Sequence, residues 1–244
     1  MIRLENISKS FDRPVLRNIN LDVPSGCLYG LVGPGASGKS VLLKIITALI
    51  RPDSGQVLID GKNVLSMSEL ELQEFRKNIG MLFQNNALFD FMTVGQNIAF
   101  PLRQLFDLAE EEITERISER LRCVSLPGFE DRLPAGLSGG QKKRVGVARA
   151  TIAQAPIVLY DEPAAGLDPV TSQKIFDLLR AEQRSANATV IMVSSDLDRL
   201  LPVTDRIGMM YRGQLIFDGT WEEARTSSNP YVYQFINGVP EGPL

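Results

Sequence analysis

The feature that most constrains this chain is Gly33-Pro34-Gly35-Ala36-Ser37-Gly38-Lys39-Ser40, which fills every fixed position of the phosphate-loop pattern G-x-x-x-x-G-K-[ST]. Such a loop needs a strand before it and a helix after it. Both are legible: Cys27 to Val32 is a short apolar run, and Val41 to Ile46 continues with the apolar density of a buried helix. Glycines admit backbone conformations closed to other residues, so successive N–H groups can turn inward around an anion, and the following helix N-terminus adds partial positive charge. The pattern predicts binding of a nucleoside triphosphate, with Lys39 reaching the β- and γ-phosphates and Ser40 holding Mg²⁺.

Elsewhere the chain alternates between strand and helix patterns. Ile2 to Ile7 and Asn18 to Val23 alternate apolar and polar residues, Gln56 to Gly61 reads as a further strand, and residues 69–78 as a short helix. A buried strand, Ile79 to Phe83, ends at the isolated polar Gln84. From about 85 to 155 the composition changes. The charged segment from Glu110 to Arg122 carries Ile113, Ile117, Leu121 and Val124 at helical spacing, and Leu137-Ser138-Gly139-Gly140-Gln141 announces a last helix. The strand pattern resumes with Ile157-Val158-Leu159-Tyr160-Asp161-Glu162, whose two acids fall at the sheet edge where ligands of parallel sheets bind. Residues 171–186 suit a helix, 189–193 a strand, 196–201 a short helix, and 207–219 a hairpin around Arg212-Gly213, while the tail 227–244 is expected to be less regular.

Charge and composition narrow the function classes. A net charge of −3 offers no global basic field for nucleic acid, and Lys142, Lys143 and Arg144 read as a solvated face or intersubunit contacts. Two distant cysteines, Cys27 and Cys123, suggest neither a disulfide framework nor a zinc site and are expected to stay reduced. The chain starts on a strand pattern without a signal peptide's regions, so none is expected. No apolar run approaches the roughly 20 residues of a membrane-spanning helix, so any membrane role is expected to run through a partner. There is no histidine.

The phosphate loop alone fits several kinds of nucleotide enzyme. Together with Leu137-Ser138-Gly139-Gly140-Gln141 and the Asp161-Glu162 pair, it makes the chain resemble, over essentially its whole length, the nucleotide-binding subunits of the ATP-binding cassette (ABC) family. The resemblance implies an α/β fold: a P-loop NTPase (RecA-like) core (1–84 and 156–226) with an N-terminal antiparallel β subdomain, an inserted α-helical subdomain (85–155) and a C-terminal extension (227–244). It further implies that Phe11 stacks on adenine, against the plainer reading of Phe11 as a local packing residue. Gly33 to Ser40 become the Walker A loop, and Gln84 becomes the glutamine that touches Mg²⁺ and the attacking water and senses the transmembrane partner. Ser138, Gly139, Gly140 and Gln141 become the signature that clamps the γ-phosphate bound by another subunit. Asp161 is matched to the metal's water shell, Glu162 to the carboxylate that polarises hydrolytic water, and Asp168 to the loop crossing the dimer seam. One chain holds one copy of each half-site, so a homodimer or a heterodimer with a related chain is implied.

One position departs from the family pattern. Where a histidine contacts the γ-phosphate, this chain reads Val193-Ser194-Ser195-Asp196, and it holds no histidine to substitute. Losing one such contact can cost on the order of 2.7–4 kcal/mol in transition-state stabilisation, so slow hydrolysis or a compensating residue is expected. The segments Phe83 to Leu102 and Asn229 to Pro243 resemble the ATPases that work with MCE proteins in bacterial lipid transport. That implies a permease docking through the Gln84–Phe100 region, an MCE-type lipid-binding partner, and a location on the cytoplasmic face of the membrane. Phe89, Phe91 and Phe100 are either core residues of the helical subdomain or the lining of a groove for a permease helix. Two rival readings use the same motifs: a soluble ABC protein of DNA repair or translation, and an ATP-driven dimerisation module with little turnover. Co-purification with a permease tests the first, and phosphate release from the assembled complex tests the second.

Overall fold

In the computed structural model, which describes residues 1–244, the alternating runs at the start of the chain pair as an antiparallel hairpin of β1 (Ile2–Ser10) and β2 (Pro14–Val23). Ile2, Leu4 and Ile7 are all buried although their spacing breaks period two, because a bulge between Leu4 and Ile7 holds Asn6 at φ 53°. After β3 (Leu28–Val32) and α1 (Lys39–Ile46), β4 (Ser54–Ile59) and β5 (Lys62–Asn63) complete a four-stranded sheet in the order β2-β1-β4-β5. A capping box between Ser68 and Glu71 starts α2 (Glu69–Arg76).

The second sheet positions the chemistry. Strands β6 (Ile79–Leu82), β7 (Ile157–Asp161), β8 (Thr189–Val193) and β9 (Arg206–Tyr211) run parallel with β3, and β10 (Gln214–Gly219) turns back antiparallel on β9. The order is β10-β9-β3-β8-β7-β6. Strands β3, β7 and β8 are buried throughout, and their side chains alternate between two cores. Leu28, Val158, Tyr160, Val190 and Met192 enter one; Tyr29, Leu31, Ile157, Leu159, Ile191 and Val193 enter the other. Register aligns Leu31 and Asp161 with Val193, and Leu82 with Tyr160. All four strands therefore end at one edge.

Between β6 and β7 lie α3 (Val94–Leu105), α4 (Glu110–Cys123) and α5 (Gly139–Thr151). Arg120 of α4 pairs with Glu182 of α6 (Pro169–Ala186), tying this helical block to the core. Asn97, fully buried on α3, accepts from the Phe89 N–H and donates to the carbonyls of Phe89, Met92 and Thr93. Asn97→Ala strips these partners from the 89–93 loop and is expected to lower stability by about 1–3 kcal/mol, read as a shift in the urea midpoint at unchanged slope.

The chain ends in α7 (Leu197–Leu200), α8 (Trp221–Arg225) and α9 (Pro230–Asn237). The last corrects the expectation of an irregular tail. Asn229 caps α9 and Pro230 occupies its first turn, so the Asn-Pro pair that resembles a loop starts a helix. Val232 and Ile236 are buried, and Tyr231 packs on Tyr211 with ring centroids 4.8 Å apart. No helix is long and apolar enough to cross a membrane.

Candidate functional site

The loop between β3 and α1 takes positive φ at Gly33 (137°) and Gly38 (101°), where glycine admits it, and also at Ala36 (58°). Gly33 is required twice over, since a Cβ there would lie 2.1 Å from the Met210 carbonyl oxygen. Pro34, Gly35 and Ala36 form the outer curve of the loop, with Gly35 and Ala36 exposed, and the Ser37 side chain is buried beneath it. Lys39 Nζ donates to the carbonyls of Gly33 (2.7 Å) and Pro34 (2.9 Å) and to Ser37 Oγ (3.2 Å). Burial lowers the Lys39 pKa, opposed by the negative charges of Glu162 and Asp161. The tip of the β1–β2 hairpin lies alongside, where Val15 and Leu16 abut Gly38. Phe11 at this tip is 56% exposed, with Lys9 Nζ 5.4 Å from its ring centroid.

Two strand ends bring the acids to the loop. Ser40 Oγ donates to Asp161 Oδ1 at 3.1 Å, joining the first turn of α1 to the end of β7. Glu162 takes φ 55°, a region that a non-glycine residue occupies only when its surroundings hold it there; its N–H donates to the Val193 carbonyl at 2.9 Å. Its carboxylate Oε2 accepts from both the N–H and the hydroxyl of Ser195, each at 3.1 Å. Ser195 thus engages the acid itself, a contact that its residue type alone does not reveal.

Gln84 follows β6 with an exposed side chain, while its carbonyl accepts from Lys143 Nζ at 2.8 Å. Of the three cations expected on a solvated face or at intersubunit contacts, Lys143 and Arg144 are instead turned inward. Lys143 is only 4% exposed, and Arg144 donates to the carbonyls of Val124 and Ser125. The reason is helical phase: position 143 shares a stripe with the buried Gly146, Val147 and Ala150, a signal present in the sequence but masked by the run of cations. Beyond Gln84, Met81, Phe83, Phe89, Phe100 and Leu105 line a groove of about 330 Å³ between the core and the helical block. Phe89 and Phe100 pack at 4.8 Å between centroids while Phe91 is 78% exposed, so these rings form a surface rather than a core.

Ser138 caps α5 in a reciprocal box with Gln141, leaving Ser138 and Gly139 exposed at the helix N-terminus. A Cβ on Gly140 would lie 3.1 Å from Leu167, so this segment packs beside the loop that carries Asp168. Asp168 itself caps α6 through the N–H groups of Val170 and Thr171, and bonds with Thr171 lower its pKa. The structure therefore brings Lys39, Ser40, Asp161, Glu162 and Ser195 together at one sheet edge. Within the chain, Ser138 to Gln141 remain on the helical block, outside that cluster.

Residues 16–165 match the family model described as ABC transporter. The chain is 39% identical over its full length, and over 70% of the relative's, to the probable ribonucleotide transport ATP-binding protein mkl of Mycobacterium leprae. It is 35% identical to the intermembrane phospholipid transport system ATP-binding protein MlaF of Haemophilus influenzae, covering 100% of this chain and 93% of that one. A dimeric ABC cassette solved in a post-hydrolysis state with ADP and phosphate superposes with a TM-score of 0.85 at 32% identity, covering 90% of this chain and 98% of that chain.

Proposed function

The chain belongs to the ABC transporter family, and from that premise we propose that it is one of two ATP-hydrolysing subunits driving a lipid-transporting permease of the MCE type. That it is an ATP-binding subunit and an ATPase using ATP with Mg²⁺ follows from family membership. The observation that carries the lipid reading is the match to MlaF over nearly the whole of both chains. Relatives named for ribonucleotide transport and methionine import mark the competing substrates.

Each residue takes a role from its position. The inward amides of 33–39 and the Lys39 ammonium bind the β- and γ-phosphates. Ser40 and Asp161 offer the hard oxygen donors that suit Mg²⁺, which when bound would neutralise phosphate charge, and Gln84, just after the strand that pairs with β7, would add an amide oxygen. Glu162 accepts a hydrogen bond from the attacking water and polarises it. The exposed N-terminus of α5, with Ser138 and Gly139, serves the triphosphate held by a second subunit, so ATP joins two cassettes and hydrolysis releases them. The phenylalanine-lined groove receives a short permease helix, which makes the protein a peripheral membrane subunit. Phe11 offers a free ring face to the adenine. Phe11→Ala is expected to raise KM for ATP by about 5- to 150-fold, the equivalent of about 1–3 kcal/mol of stacking, with kcat little changed.

Reconstitution of the complete complex in vesicles tests the substrate. Transfer of labelled phospholipid that depends on ATP supports the reading. ATP-dependent movement of methionine or a ribonucleotide, with no lipid transfer, replaces it by one of the competing substrates.

A further inference from the structure

Phe11 stands at the tip of the β1–β2 hairpin, and the ladder between those strands does not by itself fix where the tip points. The register shifts between Ile7 and Lys9 and again between Lys9 and Ser10. Irregularities of this kind bend and twist a strand. One foot of the tip is held by the core: the Arg17 N–H donates to the Gly213 carbonyl at 2.8 Å, and a Cβ on Gly213 would lie 2.4 Å from the Val15 carbonyl oxygen. The other foot rests on Asp53, the residue before β4. Its Oδ1 accepts from Lys9 Nζ at 2.8 Å and its Oδ2 from the Ser10 N–H at 2.6 Å, while its own N–H donates to the Ser8 carbonyl at 2.8 Å. Ser8, Lys9 and Ser10, the three residues before Phe11, are thus each tied to Asp53. The Lys9 ammonium in turn lies over the Phe11 ring, 5.4 Å from its centroid, and the Lys9 side chain is only 17% exposed. An exposed ion pair alone contributes little, but a carboxylate that also takes a backbone N–H orders the chain as well as the charge.

We propose that Asp53 is a positioning residue for the nucleotide base: it holds the Lys9 ammonium against one face of the Phe11 ring and anchors the backbone at Ser10, so that the ring keeps one fixed face open for the purine. The proposal rests on the adenine-stacking role given to Phe11 above. A platform that must first be ordered loses part of the contact to the entropy of ordering it, so a ring oriented in advance binds a base more tightly. Attraction between the ammonium and the ring restrains the ring further. Asp53 acts only through Phe11, so it alters how tightly ATP is held and leaves the phosphate chemistry alone.

The test compares ATP turnover by the complete transport complex carrying Asp53→Ala, Asp53→Asn, Phe11→Ala, or Asp53→Ala together with Phe11→Ala. Inhibition by inorganic tripolyphosphate, which offers phosphates without a base, is measured alongside. Asp53→Ala is expected to raise KM for ATP about 3- to 10-fold with kcat within about twofold of wild type, and Asp53→Asn, which keeps an acceptor but no charge, to fall between the two. The tripolyphosphate inhibition constant is expected to stay within about twofold of wild type in both Asp53 variants, and Asp53→Ala to add less than about twofold to KM once Phe11 is already alanine. Should Asp53→Ala fail to assemble, Asp53→Asn carries the test. Three results overturn the proposal: wild-type KM in both Asp53 variants, an Asp53→Ala effect of the same size with and without the Phe11 ring, or a tripolyphosphate constant that weakens in step with ATP, which marks a general disturbance of the phosphate loop. A KM that Phe11→Ala leaves at its wild-type value overturns instead the stacking role beneath it.

Discussion

Glu162→Gln is expected to reduce ATP turnover by at least about 10²- to 10⁴-fold while leaving ATP binding intact. The substitution keeps shape and keeps an oxygen able to accept from the Ser195 N–H and hydroxyl, so the unusual backbone at φ 55° has no reason to relax. What disappears is the negative charge that, in the role proposed for Glu162, draws a proton from water. The phosphate loop, with Lys39 and its partners, is untouched. Binding without hydrolysis then favours the ATP-joined pair of subunits, visible as a dimer peak in size-exclusion chromatography with ATP that ADP does not produce. Turnover above a tenth of wild type would move proton acceptance to another group.

Much of this site could be read before any coordinates. The eight residues 33–40 carry loop, helix start and cation in one contiguous segment, because anion binding by a backbone nest is a local property. Asp161-Glu162 were also legible, since a run of apolar residues ending in acids marks the exit of a buried strand. The contacts between distant segments were not. Nothing local to Ser195 says that it bonds Glu162, because that contact depends on the β7–β8 register. The burial of Lys143 is hidden by its neighbours: three adjacent cations resemble a solvated face or an intersubunit contact, whereas a helix turns each of them to a different side. The tail failed for a related reason: α9 draws its order from packing against Tyr211, a tertiary contact that overrides its loop-like composition.

Gly33→Ala is expected to be among the most damaging single substitutions in the chain, costing about 4 kcal/mol or more. Two independent penalties coincide. At φ 137° an L-residue is strained by about 1–3 kcal/mol, and the added methyl would lie 2.1 Å from the Met210 carbonyl oxygen, a backbone atom of β9 that cannot step aside. Moving β9 would also disturb its parallel ladder with β3. Gly35→Ala, two residues on, provides the comparison: no atom lies within 4 Å of its Cβ position, so a change within about 0.5 kcal/mol is expected. Urea denaturation of both variants measures the contrast, and equal midpoints would show that the loop can shift away from β9 at little cost.

The bonds from Lys39 to Gly33, Pro34 and Ser37 have a kinetic side. An ammonium has three protons, and here each already has an oxygen, so the loop acts as an ordered solvation shell for its own cation. A phosphate entering this shell takes part in ligand exchange, displacing one oxygen as another arrives, and the charge need not pass through an unsolvated intermediate. The barrier to nucleotide entry is then set by how readily the backbone carbonyls of residues 33 and 34 let go, which makes the pliancy of two peptide units a determinant of how fast the motor can be loaded.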